Sequence, residues 1–132
     1  MNECKVNYRG GIAFEAKARQ HSLTIDLAQE KGGEDSGMNP PEIFMASLGS
    51  CIGVYVVRYC KNAKIDAEGL SIDLEWQLSD DKTKISEIKA RIALPKAEVG
   101  KRDKAILEVA HHCLIHNTIL CQPQIHMTLQ GK

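Results

Sequence analysis

Net charge is the first thing this 132-residue chain lacks, since 17 Lys plus Arg are balanced by 17 Asp plus Glu. Without a net field to gather phosphates or an anionic bilayer, neither nucleic acid nor a membrane surface is expected as a partner. Long apolar runs are also missing. The most apolar stretch, Ile52 to Val57, lies between Gly49-Ser50 and Arg58 and falls far short of the roughly 20 residues that span a bilayer. The opening MNECKVNYRG has no basic-then-apolar pattern of a secretory signal. A soluble cytoplasmic protein is the expectation. Internal repeats, low-complexity segments and linker-like stretches are absent too, so the length predicts a single domain over residues 1–132.

What is present reads as an ordinary globular composition, with 43% hydrophobic and 26% charged residues, enough to build a core. Five cysteines, Cys4, Cys51, Cys60, Cys113 and Cys121, are an odd number at wide, irregular spacing. That argues against a structural disulfide framework and leaves each thiol, taken alone, more plausible as a small buried hydrophobe than as a reagent.

The first third alternates with period two. Ile12, Phe14, Ala16 and Ala18 interleave with Glu15, Lys17 and Arg19, and Leu23, Ile25 and Leu27 with Thr24 and Asp26. These predict a meander whose first strand runs from Cys4 to Tyr8, with turns at Gly10-Gly11 and Gln20-His21-Ser22. Residues 28 to 39 have no apolar period and predict an exposed loop. Asn39-Pro40-Pro41-Glu42 then carries a helix start, an Asn able to cap orphan N–H groups followed by Pro where the missing donor costs nothing. From Ile43 to about Lys61 apolar or small residues cover nearly the whole circumference, which predicts a helix buried on every side.

Leu70, Ile72, Leu74, Trp76 and Leu78 alternate with polar residues and predict a half-buried strand. Ser79-Asp80-Asp81-Lys82 turns it into a second strand carrying Ile88, Ala90, Ile92 and Leu94. Gly100 opens a helix with Ile106, Leu107, Val109, Ala110 and Cys113 on its apolar face. A short helix over His116 to Cys121 follows, and Ile125, Met127 and Leu129 predict a last strand. The fold class is α+β. So small a chain has little material to cover a helix that is apolar all round, so a homodimer in which each subunit covers the other's central helix is expected.

Cys51 shares a helical stripe with Phe44, Leu48 and Tyr55, while Cys60, nine residues on, points about half a turn away. Cys60, Cys4 and Cys121 are taken as structural. Cys113 lies within His111-His112-Cys113-Leu114-Ile115-His116. There, His112 and His116 at i, i+4 could join Cys113 on a borderline metal, although no further ligand is marked by the sequence.

Two segments resemble the OsmC/Ohr family. Asn39 to Cys51 (NPPEIFMASLGSC) is similar to its Pro-rich helix start leading to a Cys on the central helix. Cys113 to Leu120 (CLIHNTIL) is similar to its second signature, a Cys followed by an aliphatic pair, a Ser or His, and Asn. The TIDLAQEKGGEDSGMNPPE run is similar to the family's loop before that helix. The resemblance implies an intertwined homodimer with interfacial sites that reduce organic hydroperoxides or hydrogen peroxide, with no added cofactor. Cys51 would be the peroxidatic thiolate and Cys113 the resolving thiol, which suits the requirement for a thiolate nucleophile and a second thiol to trap the sulfenic acid. A lipoylated protein, thioredoxin or a small thiol would return the electrons. In the Ohr branch an Arg of the meander, here Arg9 with Arg19 a second candidate, activates the thiolate and is held by a Glu. The chain has Pro41 at that Glu position and Glu42 one residue later, an offset typical of the wider OsmC-like group, so that Glu42 would either do the same work from the next position or only favour the helix N-terminus. Ile43, Phe44, Leu48 and Tyr55 would form an apolar substrate wall. The competing readings are a non-catalytic dimeric protein binding an apolar ligand, and a metal module built on His112, Cys113 and His116.

Overall fold

The computed structural model describes residues 2–132. Chain contacts divide it into two compact units, Met1–Ala46 and Ser47–Lys132. The α+β class holds, built from five strands and three α-helices among the described residues.

In the first unit three strands, β1 (Lys5–Tyr8), β2 (Phe14–Ala18) and β3 (His21–Ile25), form an antiparallel meander in the order β1-β2-β3. Gly10 at φ 96° and Gly11 at φ 55° make the first turn, closed by the Ala13 N–H donating to the Gly10 carbonyl. Only glycine enters that region without a steric penalty. The second turn differs from expectation. Ala18 pairs with His21, so His21 and Ser22 belong to β3, and the positive φ of 55° falls on Arg19, a residue with no turn signature. Tyr8 and Phe14 face each other across the sheet with ring centroids 5.7 Å apart, an aromatic cross-strand pair of the kind that fixes register.

The stretch predicted as a plain exposed loop is organised instead. It contains a single 3-10 turn, Gln29–Lys31, and wraps around Asp26, a buried carboxylate that accepts from the backbone N–H groups of Leu27, Glu34 and Ser36 and from the Ser36 hydroxyl. Those donors hold the Asp26 carboxyl at about 2, against an ordinary value of 3.8, with the Ser36 hydroxyl the largest cause.

Helix α1 runs Pro40–Ala63 and starts on a reciprocal capping box. Asn39 Oδ1 accepts from the Glu42 N–H at 2.9 Å, and Glu42 Oε1 accepts from the Asn39 N–H at 2.9 Å, satisfying two groups that a helix end leaves orphaned. At 24 residues, with a mean hydropathy of 1.5 over its most apolar 18-residue window, α1 has the length and composition of a membrane span. The uninterrupted apolar run at its centre, Ile52 to Val57, is only six residues long. In the second unit its stripe Leu48, Ile52, Val56 and Cys60 is buried together with Ile106, Ala110 and Cys113, the packing of a core helix. Burial is one-sided, contrary to the expectation of a helix covered all round: Phe44 is 40% and Val54 48% exposed.

The second unit also holds the hairpin β4 (Ser71–Leu78) and β5 (Ile85–Ala93), antiparallel with Ile72 opposite Ile92, Leu74 opposite Ala90 and Trp76 opposite Ile88. Its tip is set by Asp81, which accepts from the Ser79 and Thr83 hydroxyls and the Thr83 N–H. Gly49 lets α1 approach β4 closely, because a Cβ there would sit 2.7 Å from Leu74 Cδ1. A 3-10 turn, Gly100–Arg102, leads into α2 (Asp103–His111), and α3 spans Leu114–Leu120. Cys113 therefore lies between the helices rather than on α2. The predicted last strand does not form: residues 122–132 carry no regular structure, and Ile125, Met127 and Leu129 are 76%, 89% and 97% exposed. The alternation is there, but no strand pairs with it among the described residues.

Candidate functional site

Helix α1 presents Cys51 half-buried beside the core of the second unit, and the break between α2 and α3 presents Cys113 with no exposed surface. Cys113 has extended backbone, φ −68° and ψ 151°, and serves as the N-cap of α3, its Sγ accepting from the His116 N–H at 3.3 Å. A thiol sulfur is a weaker acceptor than the usual Ser or Asp oxygen. A cysteine at this cap is thus costlier to the helix than Ser would be, and its sulfur is held in one place.

Burial pushes the Cys113 thiol above its ordinary value of 9.0. The His116 N–H pulls it down, and Cys51 pushes it up again through hydrogen bonding and charge. The thiol form of Cys113 is thus favoured, and the residue lies near enough to Cys51 to feel it. Both are free thiols. Cys60 is fully buried on the same core stripe, with its thiol also pushed up by desolvation, and Cys4 and Cys121 are exposed.

The second unit also opens a cleft of about 420 Å³. Its walls are Leu48 and Ile52 of α1, the β5 face at Ile88 and Ile92, Leu107 of α2 and Ile119 of α3, with His111 and His116 among them. Of the four residues expected to form an apolar substrate wall, only Leu48 lines this cleft. Tyr55 packs on the core cluster, Ile43 is half-buried and Phe44 exposed. Helical spacing from Cys51 finds neighbours on α1 alone, and α1 supplies only part of the lining of this cleft. The larger part is supplied by the hairpin and the two later helices, whose only signals were the period-two isoleucines of β5 and the histidines around Cys113.

The histidine pairing also differs. His112 turns its Nδ1 onto the Glu108 carbonyl at 2.7 Å, and it is His111 and His116 whose rings adjoin, with centroids 5.4 Å apart. Among the described residues no group of three or more His, Cys, Asp or Glu side chains could hold a metal ion, so the His112, Cys113 and His116 set is not assembled. In the first unit Arg9 pairs with Glu15, lowering the Glu15 carboxyl from its ordinary value. Glu42 is engaged in the capping box and enters no ion pair among the described residues. Arg9 and Glu42 are not brought together as a pair.

The family model described as "OsmC-like protein" matches residues 33–129, a span that includes both thiols and most of the chain. This chain belongs to the OsmC-like protein family. An uncharacterized protein of Methanocaldococcus jannaschii is 28% identical over 120 residues, covering 89% of this chain and 63% of that protein. The chain therefore spans under two thirds of that relative. Among solved structures, one from Psychrobacter arcticus, provisionally described as an osmotic stress induced and detoxification response protein, superposes with a TM-score of 0.81 at 21% identity, covering 89% of this chain and 88% of the other. One from Legionella pneumophila, described as an organic hydroperoxide resistance protein OsmC, has a TM-score of 0.61 at 22% identity, covering 90% and 88%. At these identities the structural likeness establishes the OsmC fold.

Proposed function

We propose that this chain is a cysteine-based peroxidase that reduces organic hydroperoxides or hydrogen peroxide through Cys51 and Cys113. The observation that carries the reading is the thiol pair itself. Two cysteines 62 positions apart in sequence come near one another beside the core of one unit, one partly accessible and the other buried with its thiol pushed up by burial. Membership of the OsmC-like family and the hydroperoxide-resistance description of the Legionella structure support the same class of reaction.

In the first step the Cys51 thiolate attacks the terminal peroxide oxygen. The S–O bond forms as the O–O bond breaks, and the departing alkoxide takes a proton to leave as alcohol, or as water from hydrogen peroxide. The Cys113 sulfur then attacks the sulfenic sulfur. The S–S bond forms, and the sulfenic oxygen leaves as water with the thiol proton. An external dithiol or two small thiols reduce the disulfide. Half-exposure of Cys51 suits attack on a substrate, and burial of Cys113 suits a thiol that meets only its partner. Arg9 and Glu42 each have other partners in the first unit and are given no step.

The protein acts, on this proposal, as a cytoplasmic homodimer. Support comes from apolar side chains left at the surface in both units: Val6, Tyr8 and Leu23 on the meander, Val54 on α1, and the alternating Ile125, Met127 and Leu129. Exposed apolar patches of this kind mark association surfaces. Sedimentation giving a monomer at micromolar concentration would remove the dimer.

A second reading, non-catalytic binding of an apolar ligand, is favoured by one observation: neither thiol is among the residues lining the cleft. Reduced protein mixed with cumene hydroperoxide or hydrogen peroxide separates the two. The peroxidase consumes peroxide and loses two hydrogens from its intact mass as the Cys51–Cys113 disulfide forms. Cys51→Ser abolishes turnover, and Cys113→Ser lets Cys51 proceed to sulfinic acid. Undiminished peroxide consumption by Cys51→Ser sinks the peroxidase.

A further inference from the structure

Helix α3 (Leu114–Leu120) has seven residues, well below the roughly 12–15 at which a helix begins to hold itself in water. Its sequence LIHNTIL includes three β-branched residues and an Asn, and no acidic side chain stands in its first turn to meet the helix dipole. The first N–H groups of a helix have no partner within it. Here the His116 N–H donates to Cys113 Sγ at 3.3 Å, and the Ile115 N–H donates toward the same sulfur. That sulfur also lies within hydrogen-bonding reach of Cys51. One atom thus serves as the cap of α3 and as half of the thiol pair.

We infer that α3 is a redox-sensitive element, capped by the Cys113 sulfur while the thiols are reduced and released when that sulfur is bonded to Cys51. Unbonded heavy atoms rest roughly 3.5–4 Å apart, whereas a disulfide holds its sulfurs at about 2.05 Å, so closing the bond draws them together by more than about 1 Å. Cys51 is the fixed end. Its helix starts on the Asn39–Glu42 capping box and buries Leu48, Ile52, Val56 and Cys60 in the core, with Gly49 close against Leu74. The Cys113 end is one residue of extended backbone between two helices, and it is the end that gives. Its sulfur, a weak acceptor to begin with, is then drawn off an N–H already 3.3 Å away. The Thr118 hydroxyl on the Leu114 carbonyl and the Asn117 side chain on the His112 carbonyl remain, but neither serves a first-turn N–H. Forming the bond removes two electrons and two protons from the thiols. For its natural trigger the inference rests on the proposed reaction, in which a hydroperoxide accepts them and leaves as alcohol and water; any two-electron thiol oxidant produces the same switch.

The test is amide hydrogen exchange read by mass spectrometry on reduced protein and on protein oxidised with diamide, which takes up the two electrons and two protons and becomes the hydrazine. Peptide mapping identifies the Cys51–Cys113 bond. Amides of residues 116–121 are expected to exchange at least about threefold faster in the oxidised form, the scale set by losing an N-cap, while those of 48–60 in α1 and of β4 and β5 change by less than about twofold. Dithiothreitol should restore the reduced pattern. In Cys51→Ser, diamide still meets the exposed Cys4 and Cys121 but cannot make the bond, so α3 should not respond to it. Cys113→Ser, whose hydroxyl keeps a cap acceptor, should be equally unresponsive and gives the same control from the other partner. Equal protection of α3 in both forms, loosening spread over α1 and the hairpin, a response to diamide in either variant, or failure of diamide to form the bond would each overturn the inference. Peroxide consumption by the unmodified protein is scored separately: a chain whose α3 switches with diamide yet consumes no peroxide loses the peroxidase and keeps the switch.

Discussion

Glu42 offers a sharp discrimination, because the family resemblance assigns it to the chemistry and the structure engages it in a helix cap. In the capping box its Oε1 accepts the Asn39 N–H and its own N–H donates to Asn39 Oδ1. Asn39→Ala removes the cap acceptor and should cost about 1 kcal/mol, within a range of roughly 0.5–2. Glu42→Ala removes the reciprocal acceptor and a carboxylate from the first turn, where a charge is worth about 0.3–1 kcal/mol. The two changes act on one box, so the double variant should lose less than the sum, with a coupling of about 0.5 kcal/mol or more. Glu42→Gln keeps an acceptor oxygen and gives up only the charge, so it should lie within a few tenths of a kcal/mol of the parent at moderate salt. Urea denaturation measures each stability, and peroxide consumption by the same samples measures activity. With Glu42 acting only as a cap, Glu42→Gln retains kcat/KM within about twofold, a difference of roughly 0.4 kcal/mol in transition-state terms. A tenfold or larger fall in Glu42→Gln with unchanged stability would refute the capping-only account and return the carboxylate to the thiols.

Three more outcomes follow from the packing and the hydrogen bonds. Ile52, only 6% exposed in the core of the second unit, should lose about 2–5 kcal/mol on Ile52→Ala by the lost transfer energy and the cavity left behind, read as a lower urea midpoint at constant slope. Asp26 and Asp81 both have carboxyls held down at about 2 from an ordinary 3.8. A group depressed in the folded state stabilises fully above its unfolded value and loses that contribution as pH falls toward the folded one. Thermal melts should therefore weaken between about pH 4 and pH 2, and the pair Asp26→Asn and Asp81→Asn should flatten that window; an unchanged slope there counts against both assignments. Finally, Cys113→Ser keeps an oxygen to accept the His116 N–H, whereas Cys113→Ala keeps neither cap nor thiol. Both should be equally unable to form the disulfide, while only Cys113→Ala should lose α3 helicity by circular dichroism.

The parts legible in the sequence were those where a local signal and its tertiary context agree. The hairpin β4–β5 shows as period-two alternation with a turn-forming Ser79-Asp80-Asp81-Lys82, and α1 shows as a capped, nearly charge-free stretch. The thiol pair was legible only by resemblance, since composition leaves every cysteine looking like a small hydrophobe. What failed had non-local causes. The turn after β2 places Arg19 at φ 55°, which no propensity marks, because the pairing of β2 with β3 dictates it. Residues 28–39 lack an apolar period, yet Asp26 orders them through hydrogen bonds to Glu34 and Ser36 that span eight and ten positions. Ile125, Met127 and Leu129 carry a strand's alternation without a partner to pair with. The cleft was missed because its walls come from four separate elements, and helical spacing around Cys51 sees just one.

The Asp26 cradle also bears on how this family's loops can vary in length. A surface loop of a dozen residues normally accepts insertions, since each doubling of length costs only about 0.6 kcal/mol in closure entropy. Here the segment between Leu27 and Ser36 is counted out against a single carboxylate, and Gly33 passes so close that a Cβ would meet the Leu27 carbonyl oxygen at 2.0 Å. One added residue between positions 27 and 36 shifts the Glu34 and Ser36 donors off Asp26 and leaves a buried charge short of partners. Length variation and grafted sequence belong instead at the hairpin tip around Asp80, where the acceptor Asp81 is exposed and water can replace what it loses.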